Sequence, residues 1–147
     1  MDLDDTYKDR PDWGASELGS IVQILESIDL TSLTTQQQED IYYMLHMYYH
    51  HQISVQMIWN HDHNASKAMY EKAMKYHLPE NPNRVTQFLG YLINDDIESA
   101  KQWIEVYKLD MEKESPESNA REGGLIEIET MTNLLKDYTD KRIYFND

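Results

Sequence analysis

The sequence contains no cysteine among its 147 residues. This excludes disulfide bonds, thiolate metal sites and cysteine nucleophiles, and it is compatible with a reducing cytoplasm. Only five glycines and four prolines are present, which disfavours a fold of many turns and strands. No run of about 18 apolar residues occurs, and the acidic N-terminus lacks the basic and apolar regions of a secretory signal. We therefore predict a cytoplasmic protein with no membrane-spanning helix.

Cations are also scarce, because 13 lysines and arginines stand against 27 acidic residues for a net charge of −14. Between Pro11 and Ser66 there is no lysine or arginine at all. Nucleic acids and anionic membranes are bound through clustered cations, so we expect direct binding to neither. An acidic exterior can attract a basic protein partner and speed the encounter, and it can also serve only to keep a protein soluble.

Recognisable catalytic motifs are absent from the sequence. There is no nucleophile elbow, no glycine-rich phosphate loop and no His-Glu-x-x-His. No glutamate is followed three residues later by histidine, a spacing that carboxylate-bridged di-metal bundles need. We therefore predict a protein that is not an enzyme and that needs no cofactor.

Apolar residues recur with helical spacing along most of the chain. The predicted fold is all-α: a single compact domain of five to six helices over residues 15–147, packed orthogonally or as a bundle. Residues 1–14 are rich in aspartate and poor in apolar side chains, which predicts a flexible or extended acidic N-terminal arm. The last helix is predicted from Leu125 to Tyr138, with Leu125 buried. Residues 117–124 before it are predicted to form a loop or a short helical turn.

A long central helix is predicted to begin at Thr35, which has the capping-box spacing with Gln38. It continues for about 25 residues, or roughly 37 Å. Its predicted buried stripe consists of Ile41, Met44, Leu45, Tyr48, Val55, Ile58 and Trp59. His51 and Gln52 interrupt this stripe, which predicts either a polar contact inside the protein or a break near Gln52.

Five of the six histidines lie between Thr35 and His63. His46 and His50 have the i, i+4 spacing that places two imidazoles on one side of a helix, and His61 and His63 flank Asp62. Two of these imidazoles with a carboxylate could hold a transition metal. Exposed or half-buried histidines without a ligand are the alternative.

Two groups of residues are candidates for partner binding. Tyrosine is enriched at the cores of protein interfaces, and the predicted positions on the central helix are Tyr42, Tyr43 and Tyr49. The alternative is that the central helix is covered on several sides and that these tyrosines belong to the core. The acidic run from Asp110 to Glu129 supplies carboxylates whose spacing could imitate a phosphate backbone. Its candidate residues are Glu112, Glu114, Glu117 and Glu122.

We therefore predict a non-enzymatic, acidic protein-interaction module that binds a basic surface of a protein partner. Its most specific form is a nucleic-acid-mimicking inhibitor of a nucleic-acid-binding enzyme, such as a virus- or plasmid-borne antagonist. The chain resembles that class in size, acidity and helical content. The alternatives are a helical metal-binding protein that uses the four histidines, and a structural subunit of a larger assembly, for which a homo-oligomer is one form.

Overall fold

The computed structural model describes residues 15–79 and 83–146, with side chains from residue 19 onward. The predicted N-terminal arm at residues 1–14 lies outside the described residues. Within them the chain forms helices and no strand, so the all-α prediction is confirmed. The α-helices are α1 (Ala15–Ser27), α2 (Thr35–Ser54), α3 (His63–Lys75), α4 (Arg84–Ile93), α5 (Ile97–Glu112) and α6 (Asn119–Thr139).

The chain divides into two compact units, residues 1–82 and 83–147. In the first unit α2 packs mainly against α3 and also contacts α1. In the second unit α5 packs along α6, and α4 contacts both of them. The described residues of each unit form three α-helices, and each unit buries its own set of apolar side chains.

The start of α2 is fixed by a capping box at Thr34, one residue before the predicted position. The Thr34 hydroxyl accepts from the backbone N–H of Gln37 at 3.1 Å, and the Gln37 side chain accepts from the Thr34 N–H at 3.0 Å. Two consecutive threonines precede three glutamines, so the sequence offers the same spacing twice. Gln38 instead donates to the carbonyls of Leu30 and Leu33, which holds the preceding 3₁₀ turn (Leu30–Ser32) against the helix.

The predicted long helix is confirmed at 25 residues, because a π-helical turn over Val55–Trp59 continues α2. The irregularity falls three residues after the predicted break at Gln52. The wider turn buries three of its five side chains, Val55, Met57 and Ile58. His61 then adopts a left-handed conformation with φ 54°, and the Asp62 side chain caps α3 by accepting from the Ala65 N–H at 2.9 Å.

The buried stripe of α2 differs from the prediction. It runs through Ile41, Leu45, Tyr49 and Ile53 at intervals of four residues, with His46 beside it. The assignment of Met44 to the core was wrong, since 48% of it is exposed. A stripe at four-residue intervals drifts around the helix, and the packing against α3 follows that drift.

The last helix also differs from the prediction. It begins at Asn119, where the Ser118 hydroxyl accepts from the N–H groups of Ala120 and Arg121. Residues 117–124, predicted as a loop or a short helical turn, are therefore largely helical, and both glycines lie inside the helix. At position 124 only glycine fits without a shift of its neighbour, because the Met111 side chain of α5 occupies the space where a Cβ would be. Leu125 was predicted to be buried but is 50% exposed.

Candidate functional site

The three candidate tyrosines of α2 lie in different environments. Tyr43 is 54% exposed, whereas Tyr42 is half-buried and packs edge-to-face on Tyr76 with ring centroids 5.3 Å apart. Tyr49 is only 4% exposed, so its assignment to a binding surface was wrong. Its hydroxyl donates to the Glu26 carboxylate and its ring stacks on Tyr76 at 6.0 Å. Tyr49 is part of the core that joins α1, α2 and α3.

The solvent-facing side of α2 consists of Asp40, Tyr43, Met44 and Met47. They follow the i, i+3, i+4, i+7 spacing of one helical face, and all four are exposed. Tyrosine and methionine supply adaptable contact area at protein interfaces. Of the predicted tyrosine surface, Tyr43 is therefore the member whose environment fits partner binding.

His46, His50 and His77 form a cluster of imidazoles between α2 and the end of α3. The ring of His46 stacks on that of His50 with centroids 6.3 Å apart, and it lies 6.0 Å from that of His77. His46 Nδ1 and the Ala73 carbonyl lie 2.7 Å apart, which makes Nδ1 the protonated nitrogen of the neutral ring. The prediction did not include His77, although a short hairpin between α2 and α3 places the end of α3 beside this part of α2.

Three histidines of α2, His46, His50 and His51, have a lowered pKa, and burial is the main cause. Burial, together with the smaller effects of the neighbouring His46 and His51, lowers the pKa of His50 to about 4. Burial also lowers the pKa of His46 and that of His51. Near neutral pH these three rings are therefore neutral, the form in which imidazole packs inside a protein.

The two predicted histidine pairs lie at different places in the first unit. His46 and His50 are in the middle of α2, whereas His61 and His63 stand on either side of the Asp62 cap of α3. Within residues 15–79 and 83–146 no group of three or more histidine, aspartate or glutamate side chains is placed to hold a metal ion. Metal binding by these histidines stays a prediction.

The four candidate glutamates lie in the second unit, around the junction of α5 and α6. Glu112 ends α5, Glu114 and Glu117 are in the connection, and Glu122 is in the first turn of α6. All four are exposed. In the described part of the chain no lysine or arginine approaches any of these carboxylates within the 4.0 Å of an ion pair.

Other carboxylates of the second unit do have cationic neighbours. Asp110 pairs with Arg84 at 2.7 Å, and the Arg84 guanidinium also lies 4.3 Å from the centre of the Tyr107 ring. Glu105 pairs with Lys108 at 3.1 Å. Lys113 and Arg121 lie at the junction of α5 and α6, but their side chains contact Asp110 and the backbone carbonyl of Glu114. Among the described residues, the four candidate carboxylates at this junction therefore have no ion pair.

A further exposed surface, on α6, was not predicted from the sequence. Leu125 and Ile126 are 50% and 60% exposed on α6, next to Glu122 and Glu129 on the same side of the helix. Helical periodicity alone assigned Leu125 to the core, because it forms an apolar pattern with Ile128. The glycine pair was the signal that could have corrected this, since Gly124 allows Met111 to approach and so sets which side of α6 faces α5.

Comparison with protein-family models, with curated proteins and with solved structures finds no match for this chain. Among the described helices, none has the length and apolarity to cross a lipid bilayer.

Proposed function

We propose that the chain is a non-enzymatic acidic interaction module that binds a basic surface of a protein partner. The observation that carries the proposal is the set of four exposed glutamates at the junction of α5 and α6 whose carboxylates make no ion pair among the described residues. From Glu112 to Glu129 the sequence has six glutamates against Lys113 and Arg121, a net charge of −4. This concentration of charge favours a cationic ligand and repels nucleic acid and anionic membranes.

Exposed carboxylates of this kind act chiefly on association. A surface pair is worth about 1 kcal/mol or less in water, so several charges must act together to give affinity. Their combined field can raise the rate of encounter with a basic surface by about 10-fold or more at low salt. Strong salt dependence is therefore the expected signature of the interaction.

The exposed side of α2 supports a protein partner. Tyr43, Met44 and Met47 offer contact area that a small cation would not use, and Asp40 lies on the same face. In the narrower form of the proposal, the partner is a cytoplasmic protein whose basic surface otherwise holds nucleic acid. The chain would then act as an inhibitor by occupying that surface, with carboxylates in the positions of phosphates.

The proposal is tested by binding to a panel of purified basic DNA- and RNA-binding proteins at about 50 and 500 mM salt, where the screening length falls from over 10 Å to a few Å. The test variant reverses four charges: E112K/E114K/E117K/E122K. The control reverses four other exposed carboxylates, as E71K/E98K/E105K/D140K, so that both variants have the same net charge. We expect wild type and control to bind at low salt and the test variant to lose at least about tenfold in affinity, or 1.4 kcal/mol.

Equal losses in the two variants would show that total charge acts without a defined surface. Binding that is insensitive to salt would contradict the proposal as a whole. Addition of DNA or RNA tests the narrower form, since a nucleic-acid mimic must be displaced by the ligand that it imitates. Metal binding and a structural role in an assembly stay predictions, because no contact among the described residues favours either.

A further inference from the structure

We propose that the outer side of α6 is a docking surface for a basic amphipathic helix of a partner protein. This surface, the α6 face, consists of Glu122, Leu125, Ile126 and Glu129. The inference rests on the proposed function. It adds which residues of the second unit make apolar contact with the partner, and that the partner binds them with a helix.

The four residues occupy positions i, i+3, i+4 and i+7 and so form one continuous face. They lie away from the side of α6 that packs on α5, which is formed by Gly124, Ile128 and Met131. All four are exposed, and Leu125 and Ile126 are large aliphatic side chains with half or more of their surface in water. The fold of the second unit does not use these side chains, although covering them would remove apolar area from water.

The shape of the surface selects a helical ligand. The backbone groups of α6 are bonded within the helix, and the described residues form no strand, so no sheet edge is offered for strand addition. What α6 presents is a short ridge of side chains at three- and four-residue spacing. Another helix accepts such a ridge in the groove between its own rows of side chains.

Charge selects a basic partner over a second copy of this chain. In a twofold contact with two α6 helices antiparallel, Glu122 of one copy would approach Glu129 of the other. In a parallel contact each glutamate would approach its own equivalent. Both arrangements set carboxylates against carboxylates around the apolar centre, whereas lysines or arginines flanking an apolar stripe would pair with them.

A comparable pair on α5 provides the matched control. Val106 and Leu109 are 51% and 57% exposed, almost the same as Leu125 and Ile126. Their surroundings differ, because Glu105 is paired with Lys108 on this helix and Lys113 follows its end. The two surfaces thus match in the fractional exposure of their aliphatic side chains and differ in net charge.

The test uses a synthetic peptide of leucine and lysine, about 18 residues long, whose leucines follow i, i+3, i+4, i+7 spacing. An isomer of the same composition has its leucines distributed around the helix. Fluorescence anisotropy measures both peptides against the full chain, against L125A/I126A and against V106A/L109A. Alanine has the highest helical propensity, so neither variant weakens its helix in this respect, and circular dichroism checks that each is folded.

We expect the amphipathic peptide to bind the wild-type chain at least about tenfold more tightly than its isomer. L125A/I126A should remove that preference, and V106A/L109A should keep it. Equal, salt-sensitive binding of the two peptides would overturn the docking surface while leaving the proposed basic partner in place. Absence of binding by either peptide and by every basic protein of the panel would contradict the proposed function as well. Self-association that L125A/I126A abolishes would assign the α6 face to a second copy and overturn the inference.

Discussion

His50 shows how the fold changes the ionisation of a single residue. In the unfolded chain its pKa is near 6.5, and in the folded chain burial lowers the pKa to about 4. The unfolded state therefore binds more protons between these values. The contribution of the neutral His50 ring to the free energy of unfolding is complete above about pH 6.5 and is lost as the pH falls through about 4. We predict that the free energy of unfolding decreases by up to about 2 kcal/mol between pH 7 and 5 through this residue.

Urea unfolding at the two pH values measures this loss, and NMR titration of the histidine rings measures the pKa of His50 itself. His50→Gln should flatten the dependence on pH, whereas His63→Gln, at the start of α3, serves as the control. Since His46 and His51 shift in the same direction, part of the slope should persist in the His50 variant. A ring of His50 that titrates near 6.5 in the folded chain would contradict the prediction.

Tyr138 connects the end of α6 to the turn between α4 and α5. Its hydroxyl donates to Asp95 at 2.7 Å, and Asp95 lies in a left-handed conformation with φ 55°. Burial and the Asp95 carboxylate raise the pKa of Tyr138 to about 12. The folded pKa lies above the unfolded value of 10.0. The contribution of the protonated Tyr138 hydroxyl to the free energy of unfolding is therefore complete below pH 10 and is lost as the pH rises through about 12.

We predict that Tyr138→Phe lowers the free energy of unfolding by about 1 kcal/mol at pH 7, the net value of a typical hydrogen bond, because the exposure of Asp95 weakens this bond to a carboxylate. Absorbance titration of phenolate formation should lose one late-titrating group in the variant. Tyr43→Phe is the control, since Tyr43 is more than half exposed on α2. Equal stability of Tyr138→Phe and the wild-type chain would show that the contact with Asp95 contributes nothing.

The adjacent glycines of α6 allow a test at the scale of the element. Both lie inside the helix, where alanine is favoured over glycine by about 1 kcal/mol. A Cβ on Gly123 would meet nothing within 4 Å, whereas a Cβ on Gly124 would collide with the Met111 thioether. We predict that Gly123→Ala stabilises the second unit by about 0.5–1 kcal/mol and that Gly124→Ala destabilises it.

Thermal unfolding of the two variants measures the difference. The double variant Gly124→Ala/Met111→Ala provides the control, because removal of the thioether should relieve the collision while leaving a smaller core. The two changes should therefore be non-additive. Stabilisation by Gly124→Ala alone would mean that Met111 moves aside freely and that the glycine does not set the approach of α5 to α6.

The sequence was most informative about elements and least informative about which side of an element is buried. Capping residues and apolar spacing predicted the all-α fold and the long helix. The same spacing placed Met44 and Leu125 in the core, and both are exposed. A helical pattern contains several overlapping stripes, and the choice among them depends on the neighbouring helix. Tyr49 illustrates the converse, since its burial depends on Glu26 of α1 and Tyr76 at the end of α3.

At the scale of the whole molecule, the net charge of −14 was evident from composition, but its distribution was not. The acidic run predicted Glu112, Glu114, Glu117 and Glu122 as candidates, and the structure leaves all four exposed. What the sequence did not reveal is that cations compensate other carboxylates of the same unit, such as Asp110 and Glu105. Pairing across helices is a property of the fold, so the uncompensated region appears only in three dimensions.

Two of these glutamates can separate a role in binding from a role in stability. Glu112 lies at the C-terminus of α5, where the helix dipole disfavours negative charge, and Glu122 lies in the first turn of α6, where the dipole favours it. We predict that Glu112→Gln raises the free energy of unfolding and Glu122→Gln lowers it, each by about 0.5 kcal/mol.

If both carboxylates serve the basic partner, the two substitutions should weaken binding in the same direction despite their opposite effects on stability. Denaturant unfolding and salt-dependent binding, measured on the same two variants, make this comparison. Glu98→Gln is the control, since Glu98 is exposed, lies in the first turn of α5 and is 3.7 Å from Lys101. If Glu112→Gln instead strengthened binding and Glu122→Gln weakened it, as their effects on stability run, these glutamates would act on the fold alone. The interaction surface would then have to lie elsewhere.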